Sequence, residues 1–138
     1  MKVDRLDFVT IFVKDLPEAM KFFSELFETE FTETWSTELD TRETIDSLGV
    51  NLVTPLTSDG VSAQAMAKRG EGLVSMGFKV PNLDQAIAEL KSRGIRLLQR
   101  EKIGAADTAT FHPKDTYGAM LLLVEYKEKD AATAFTAK

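Results

Sequence analysis

The chain has 138 residues, 43% hydrophobic and 28% charged, the balance of one ordinary globular domain able to bury a core. It contains no cysteine, which excludes a disulfide framework, a thiolate nucleophile and sulfur-ligated zinc. Its 22 acids outweigh 17 bases to give a net charge of -5 without a basic stripe, so nucleic acid is not an expected partner.

No apolar run approaches the roughly 18 residues of a membrane span, and Met1 to Asp7 lacks the basic start and apolar stretch of a signal peptide, so a cytoplasmic protein without membrane contact is expected. In chain order, "DFVTIFV" (Asp7 to Val13) alternates as a strand, with Val9, Ile11 and Val13 on one face and Phe8, Thr10 and Phe12 on the other. "DLPEAMKFFSELF" predicts a helix: Asp15 is the N-cap, Glu18 stands three residues on, and Leu16, Ala19, Met20, Phe23 and Phe27 form the apolar stripe. Strands follow in "TEFTETWST", "TRETID" and "GVNLVTP", then a short linking helix in "VSAQAMAKRG".

"LVSMGFKV" (Leu73 to Val80) returns to alternation, with Val74, Met76, Phe78 and Val80 on one face. "NLDQAIAELKSRG" predicts a second helix, with Asn82 as N-cap, Gln85 three residues on, Leu83, Ala86, Ile87 and Leu90 as its stripe and Gly94 as its stop. "GIRLLQ", "DTATFH" and "AMLLLVEY" complete the strands, and the polar, alanine-rich "YKEKDAATAFTAK" reads as a tail or a packing arm.

Residue i matches residue i + 67: Phe8 falls on Ser75, Val13 on Val80, Asp15 on Asn82 and Ala19 on Ala86. A constant offset across strand, cap and helix marks an internal duplication. The expected fold class is α+β, a single domain over 1–138 built of two tandem βαβββ modules (about 6–55 and 72–126), a linker helix (about 60–70) and a tail (127–138). The modules bury their sheets by curling into one curved, open mixed sheet around a cavity. By alternation the cavity wall carries Phe8, Thr10, Phe12, Asn51, Val53, Ser75, Gly77, Met120, Leu122 and Val124, mainly apolar with a few hydroxyls and an amide.

The stretches "DFVTIFVKDLPEAMKFF", "VNLVTPL", "GEGLVSMGFKVPNLDQAIAELKSRGIRLL" and "FHPKDTYGAMLLLVEY" carry a resemblance over nearly all of Leu6 to Tyr126. The chain resembles the vicinal oxygen chelate superfamily of glyoxalases, bleomycin-resistance proteins and dioxygenases, and within it the methylmalonyl-CoA epimerase-like members. The resemblance implies a divalent ion held by four side chains on four central strands, at positions occupied here by Phe8, Asn51, Ser75 and Leu122. None keeps its ligand type, and Phe and Leu have no lone pair to donate, so no metal and no other cofactor is expected. Glu125 lies three residues past Leu122, on the opposite strand face, and is not expected to substitute for it.

Among the other candidates, Trp35 reads either as a stacking partner for a ligand or as packing, and Lys79 as a rim residue. The resemblance puts His112 in "FHPKDTYG" beside the pocket mouth, where it is a candidate catalytic group, and Lys114 and Thr116 where an anionic tail could be met. It also implies a proton-shuttling Glu in the third strand, where Glu43 is the candidate; alignment there leaves Glu43 and Thr44 open, and the alternative for Glu43 is an exposed strand acid.

Two functions are carried forward. The first is a metal-independent receptor for a small, largely apolar organic ligand, with Phe8, Thr10, Phe12, Trp35, Asn51, Ser75, Lys114, Met120 and Leu122 as ligand-binding residues. The second is a metal-independent isomerase, epimerase or lyase moving a proton beside a carbonyl, for example on an acyl-CoA, with Glu43 and His112 as catalytic residues. A homodimer is expected for either, since open sheet edges need cover.

Overall fold

The computed structural model describes residues 1–36 and 39–137, without the side chains of Trp35 and Ser36, and it shows the duplication in the backbone. The first copy comprises β1 (Arg5–Phe12), α1 (Leu16–Phe27), β2 (Thr32–Ser36), β3 (Thr41–Ile45) and β4 (Val50–Pro55). After the linking helix α2 (Val61–Arg69) come β5 (Gly72–Lys79), α3 (Leu83–Ser92), β6 (Leu97–Ile103), β7 (Ala106–Phe111) and β8 (Met120–Glu125). The segment after Glu125 is a packing arm: it forms α4 (Ala131–Thr136), capped by Asp130.

Both module helices start where the sequence places their caps. The Asp15 carboxylate accepts from the Glu18 N–H and the Asn82 amide oxygen from the Gln85 N–H, each satisfying a first-turn donor that the helix itself cannot. Further along α1, Phe27 departs from the predicted buried stripe: it is 45% exposed at the last turn, stacked on Phe23 at 5.8 Å.

The described residues form one eight-stranded sheet in the order β2-β3-β4-β1-β5-β8-β7-β6. β1 and β5 run antiparallel at its centre, each flanked by a parallel partner, β4 and β8, and each arm ends in an antiparallel pair. In the central pair Val9 lies opposite Met76, its own duplicate, so an approximate two-fold axis passes between them and makes Phe8–Gly77 the image of Ser75–Thr10. Two register shifts leave Asp7 on β1 and Val74 on β5 as extra residues, again 67 apart.

The second bulge corrects the simple alternation of β5. Val74 turns to the concave side and is buried with Phe12 and Val53, while Met76 on the other side is 36% exposed. On the convex side α1, through Leu16, packs on Val13 and Leu52, and α3, through Leu83 and Leu90, packs on Val80, Phe111 and Leu123. Each such side chain contributes about 1.5–3 kcal/mol on burial, which fixes the helices to the sheet. Glu125 faces this side too: its Oε1 accepts from the Leu83 N–H at 2.6 Å, setting a carboxylate at the start of α3. No described helix is long and apolar enough to cross a membrane.

Candidate functional site

The four central strands bring positions 8, 51, 75 and 122 together. Thr10 lies between Asn51 on β4 and Ser75 on β5, and Gly77 lies between Phe8 on β1 and Leu122 on β8. The concave face is thereby divided into a polar half and an apolar half.

In the polar half, Asn51 Nδ2 donates to Glu43 Oε1 at 2.9 Å and to Thr10 Oγ1 at 3.3 Å, while the Thr41 hydroxyl donates to Glu43 Oε2 at 2.7 Å. The β3–β4 register decides the open alternative of the third strand: Glu43 lies opposite the concave-facing Val53, and Thr44 opposite Leu52, which packs under α1. Glu43 is half-buried, and Thr10, Asn51 and Ser75 are each no more than 5% exposed. Burial of this kind requires partners for polar groups. The Ser75 hydroxyl alone in this group makes no hydrogen bond among the described residues. Phe12, Val53, Val74 and Met66 of α2 close this end of the face.

In the apolar half, the Phe8 ring lies flat over Gly77, where an added Cβ would stand 2.3 Å from ring carbons, so position 77 accepts only glycine while Phe8 keeps this place. Phe135 of α4 meets Phe8 edge to face at 5.4 Å and 81°. Ile45, Ala106, Val124, Ala131 and Ala134 complete the cluster, with Leu122 against it. At its margin the Tyr126 hydroxyl donates to Asp7 Oδ2 at 2.6 Å and accepts from Arg5 at 3.1 Å. Burial, and then the bond to Asp7, push the Tyr126 hydroxyl above its ordinary value. The Lys79 ammonium lies 4.8 Å over the Tyr126 ring.

This donor set does not fit the divalent ion that the resemblance implies. Two of the four positions are hydrocarbon, Phe8 fills its own position with a ring packed against Gly77 and Phe135, and no cluster of three or more His, Cys, Asp or Glu suited to a metal occurs among the described residues.

His112 and Glu43 are not brought into contact among the described residues. Instead, His112 Nδ1 accepts from the Lys114 N–H at 3.1 Å and caps a single 3-10 turn at Pro113–Asp115. The Thr116 hydroxyl donates to the Ala119 carbonyl at 2.7 Å, so it too is used in building this hairpin, and Lys114 is exposed. The Arg96 guanidinium and N–H hold the Asp115 carboxyl down at about 2. Met120 lies opposite Ser75. The Trp35 backbone in β2 pairs with Arg42 of β3, and its side chain lies outside the described residues. Sequence reasoning missed Thr41 and Phe135; the available signal for the second was Asp130 preceding "AATAF", a cap before a short apolar face.

The glyoxalase/bleomycin resistance protein/dioxygenase superfamily model matches residues 7–111, and the chain belongs to this superfamily. Among solved structures it is similar to the methylmalonyl-CoA epimerase of Mycobacterium tuberculosis, with 29% identity, a TM-score of 0.82 and coverage of 92% of this chain and 91% of that one. The Streptomyces coelicolor methylmalonyl-CoA epimerase in complex with 2-nitronate-propionyl-CoA matches with a TM-score of 0.82 at 24% identity, over 92% of this chain and 100% of that one. A methylmalonyl-CoA epimerase in complex with methylmalonyl-CoA and NH4+ matches with a TM-score of 0.82 at 23% identity, over 94% of this chain and 99% of that one. The last two likenesses speak for the fold alone. No curated protein matches the chain by sequence.

Proposed function

We propose that this chain is a metal-independent member of its superfamily that binds a small, largely apolar organic ligand carrying a carbonyl, on the concave face and as a homodimer. The supporting observation is the identity of the four side chains gathered at the centre: Phe8 and Leu122 offer hydrocarbon, Asn51 and Ser75 neutral polar groups. The free Ser75 hydroxyl is the donor left over for a ligand carbonyl, and binding by shape with few oriented hydrogen bonds suits such a lining. The acyl-CoA ligands of the similar epimerases make a thioester the first class to try. Exposed Leu6, Leu73 and Met76 on the central strands and Phe22 and Leu26 on α1 supply apolar surface for the second copy.

Native mass spectrometry of the untagged protein tests this directly. The expected species is a dimer carrying an organic mass and no metal; a stoichiometric divalent ion would replace the proposal with a chelate-type enzyme.

One observation favours a second reading, proton transfer beside the ligand carbonyl. Glu43, oriented by Asn51 and Thr41, is the carboxylate that joins the polar half. Neutral donors stabilise a developing enolate less than an ion does, so turnover on this reading is slow. Exchange of the α-proton of methylmalonyl-CoA into D2O, followed by NMR, separates the two. Exchange above the solvent rate that disappears in Glu43→Gln establishes the enzyme; no exchange leaves the receptor.

A further inference from the structure

The apolar half is filled by a segment whose attachment is slight. α4 crosses between the arms of the sheet, touching β2 on one side and β6 and β7 on the other. Its buried face consists of one phenyl ring and small side chains, Phe135 with Ala131 and Ala134. Among the described residues one backbone hydrogen bond joins it to the turn between β6 and β7, from the Ala105 N–H to the Ala134 carbonyl at 2.8 Å. Gly104 permits that approach: its φ is +59°, and a Cβ there would stand 2.4 Å from the Ala134 oxygen.

Three further features bear on how firmly this seat is held. Lys127 to Lys129, which lead from β8 into α4, make no hydrogen bonds among the described residues. Clefts of about 310 Å³ beside Lys129–Ala132 and about 640 Å³ beside Phe135–Ala137 flank the helix at its two ends. A helix of six residues has no stability of its own and persists only through its packing.

What α4 covers is hydrocarbon. Phe8, Ile45, Ala106, Leu122 and Val124 present no unpartnered polar atom. Only an apolar occupant can replace a phenyl ring and methyl groups there without leaving a polar group unpaired.

We infer that the apolar half is a subsite for an aliphatic chain and that α4, through Phe135, is its displaceable occupant. The ligand's chain and Phe135 compete for the face of Phe8, so Phe135 sets the length of chain that is admitted. For the polar end of the ligand this rests on the function proposed above, but the subsite itself does not involve Glu43, Asn51 or Ser75.

The absence of cysteine allows a clean test, in which Ala105→Cys and Ala134→Cys are combined in the full chain to make a reversible cross-link. Decanoate binding is measured by titration calorimetry in the oxidised and reduced forms, with mass spectrometry verifying the bond and circular dichroism the fold. Reduced protein is expected to bind at least tenfold more tightly than oxidised protein, and Phe135→Ala about tenfold more tightly than the unaltered chain. Equal affinity in both redox forms overturns the inference, as does failure of the thiols to join in folded protein or absence of decanoate binding in Phe135→Ala. Decanoate has no thioester, so a negative result here leaves the carbonyl-ligand proposal standing. Loss of that proposal by metal detection leaves the decanoate result intact.

Discussion

Phe8 and Ser75 occupy the same position in two copies of one repeat, yet the halves of the concave face around them are built in opposite chemistries. Around Ser75 the neighbours are Thr10, Asn51 and, through Asn51, Glu43; around Phe8 they are Gly77, Val124 and Phe135. The backbone obeys the two-fold relation while the side chains ignore it. Strand pairing therefore fixes where groups meet, and leaves what they do when they meet to each copy separately. Magnitudes separate the halves as well. A neutral hydrogen bond contributes about 0.5–1.5 kcal/mol net, whereas removing a buried Phe costs about 3–5 kcal/mol. Stability is concentrated in the apolar half, and the polar half is left to discriminate among ligands.

The sharpest break of this contrast is Phe8→Ala. With Gly77 beneath and Phe135 beside it, the ring leaves a cavity on removal, and urea unfolding is expected to show a loss of about 3–5 kcal/mol. A loss below 1 kcal/mol would mean that the apolar half is not packed as described. On the other side, Asn51→Ala removes the donor shared by Glu43 and Thr10 and is expected to cost about 1–3 kcal/mol in the same assay. An unchanged midpoint would show that water replaces the amide freely and that the polar half is open.

A smaller effect sharpens the comparison through pH. Tyr126 borders the apolar half with its hydroxyl raised above the ordinary 10.0, by burial first and then by Asp7. A raised value stabilises the fold fully below the unfolded value and loses that contribution as pH climbs beyond it. The stability of the unaltered chain should therefore fall relative to Tyr126→Phe as pH rises past 10, and parallel curves would count against a buried phenol. The smallest change is expected from Ser75→Ala. Since Ser75 makes no hydrogen bond among the described residues, stability should move by less than about 0.5 kcal/mol while ligand affinity falls. A large loss of stability would give Ser75 a structural role and weaken the contrast with Phe8.

Much of this was legible in the sequence because it is written in local chemistry. The offset of 67 and the caps at Asp15 and Asn82 gave the repeated strand and helix without any tertiary information. The resemblance then placed Phe8, Asn51, Ser75 and Leu122 together, and the strand register brings them so. The face of Glu43 was not legible, because a one-residue slip of β3 exchanges it with Thr44 and only the pairing with β4 decides. The face of Val74 was missed for a related reason: it is itself an extra residue in β5, which resets the alternation and leaves no mark in composition. The sequence does not decide α4, because six residues rich in alanine span too little chain for a helical period to declare itself, and its position is set by the Phe135 ring packing on Phe8 across the sheet.

The paired bulges at Asp7 and Val74 have a mechanical consequence. They stand on either side of the Val9–Met76 axis, and bulges sharpen the local twist of the strands that carry them. The middle of the sheet thus behaves as a crease, with each arm a lever three strands long beyond it. A small change of angle at the crease becomes a larger change of spacing between β2 and β6, the span that α4 bridges. Deleting Val74 would remove its bulge and flatten the crease while leaving Leu73 opposite Ile11 and Ser75 opposite Thr10.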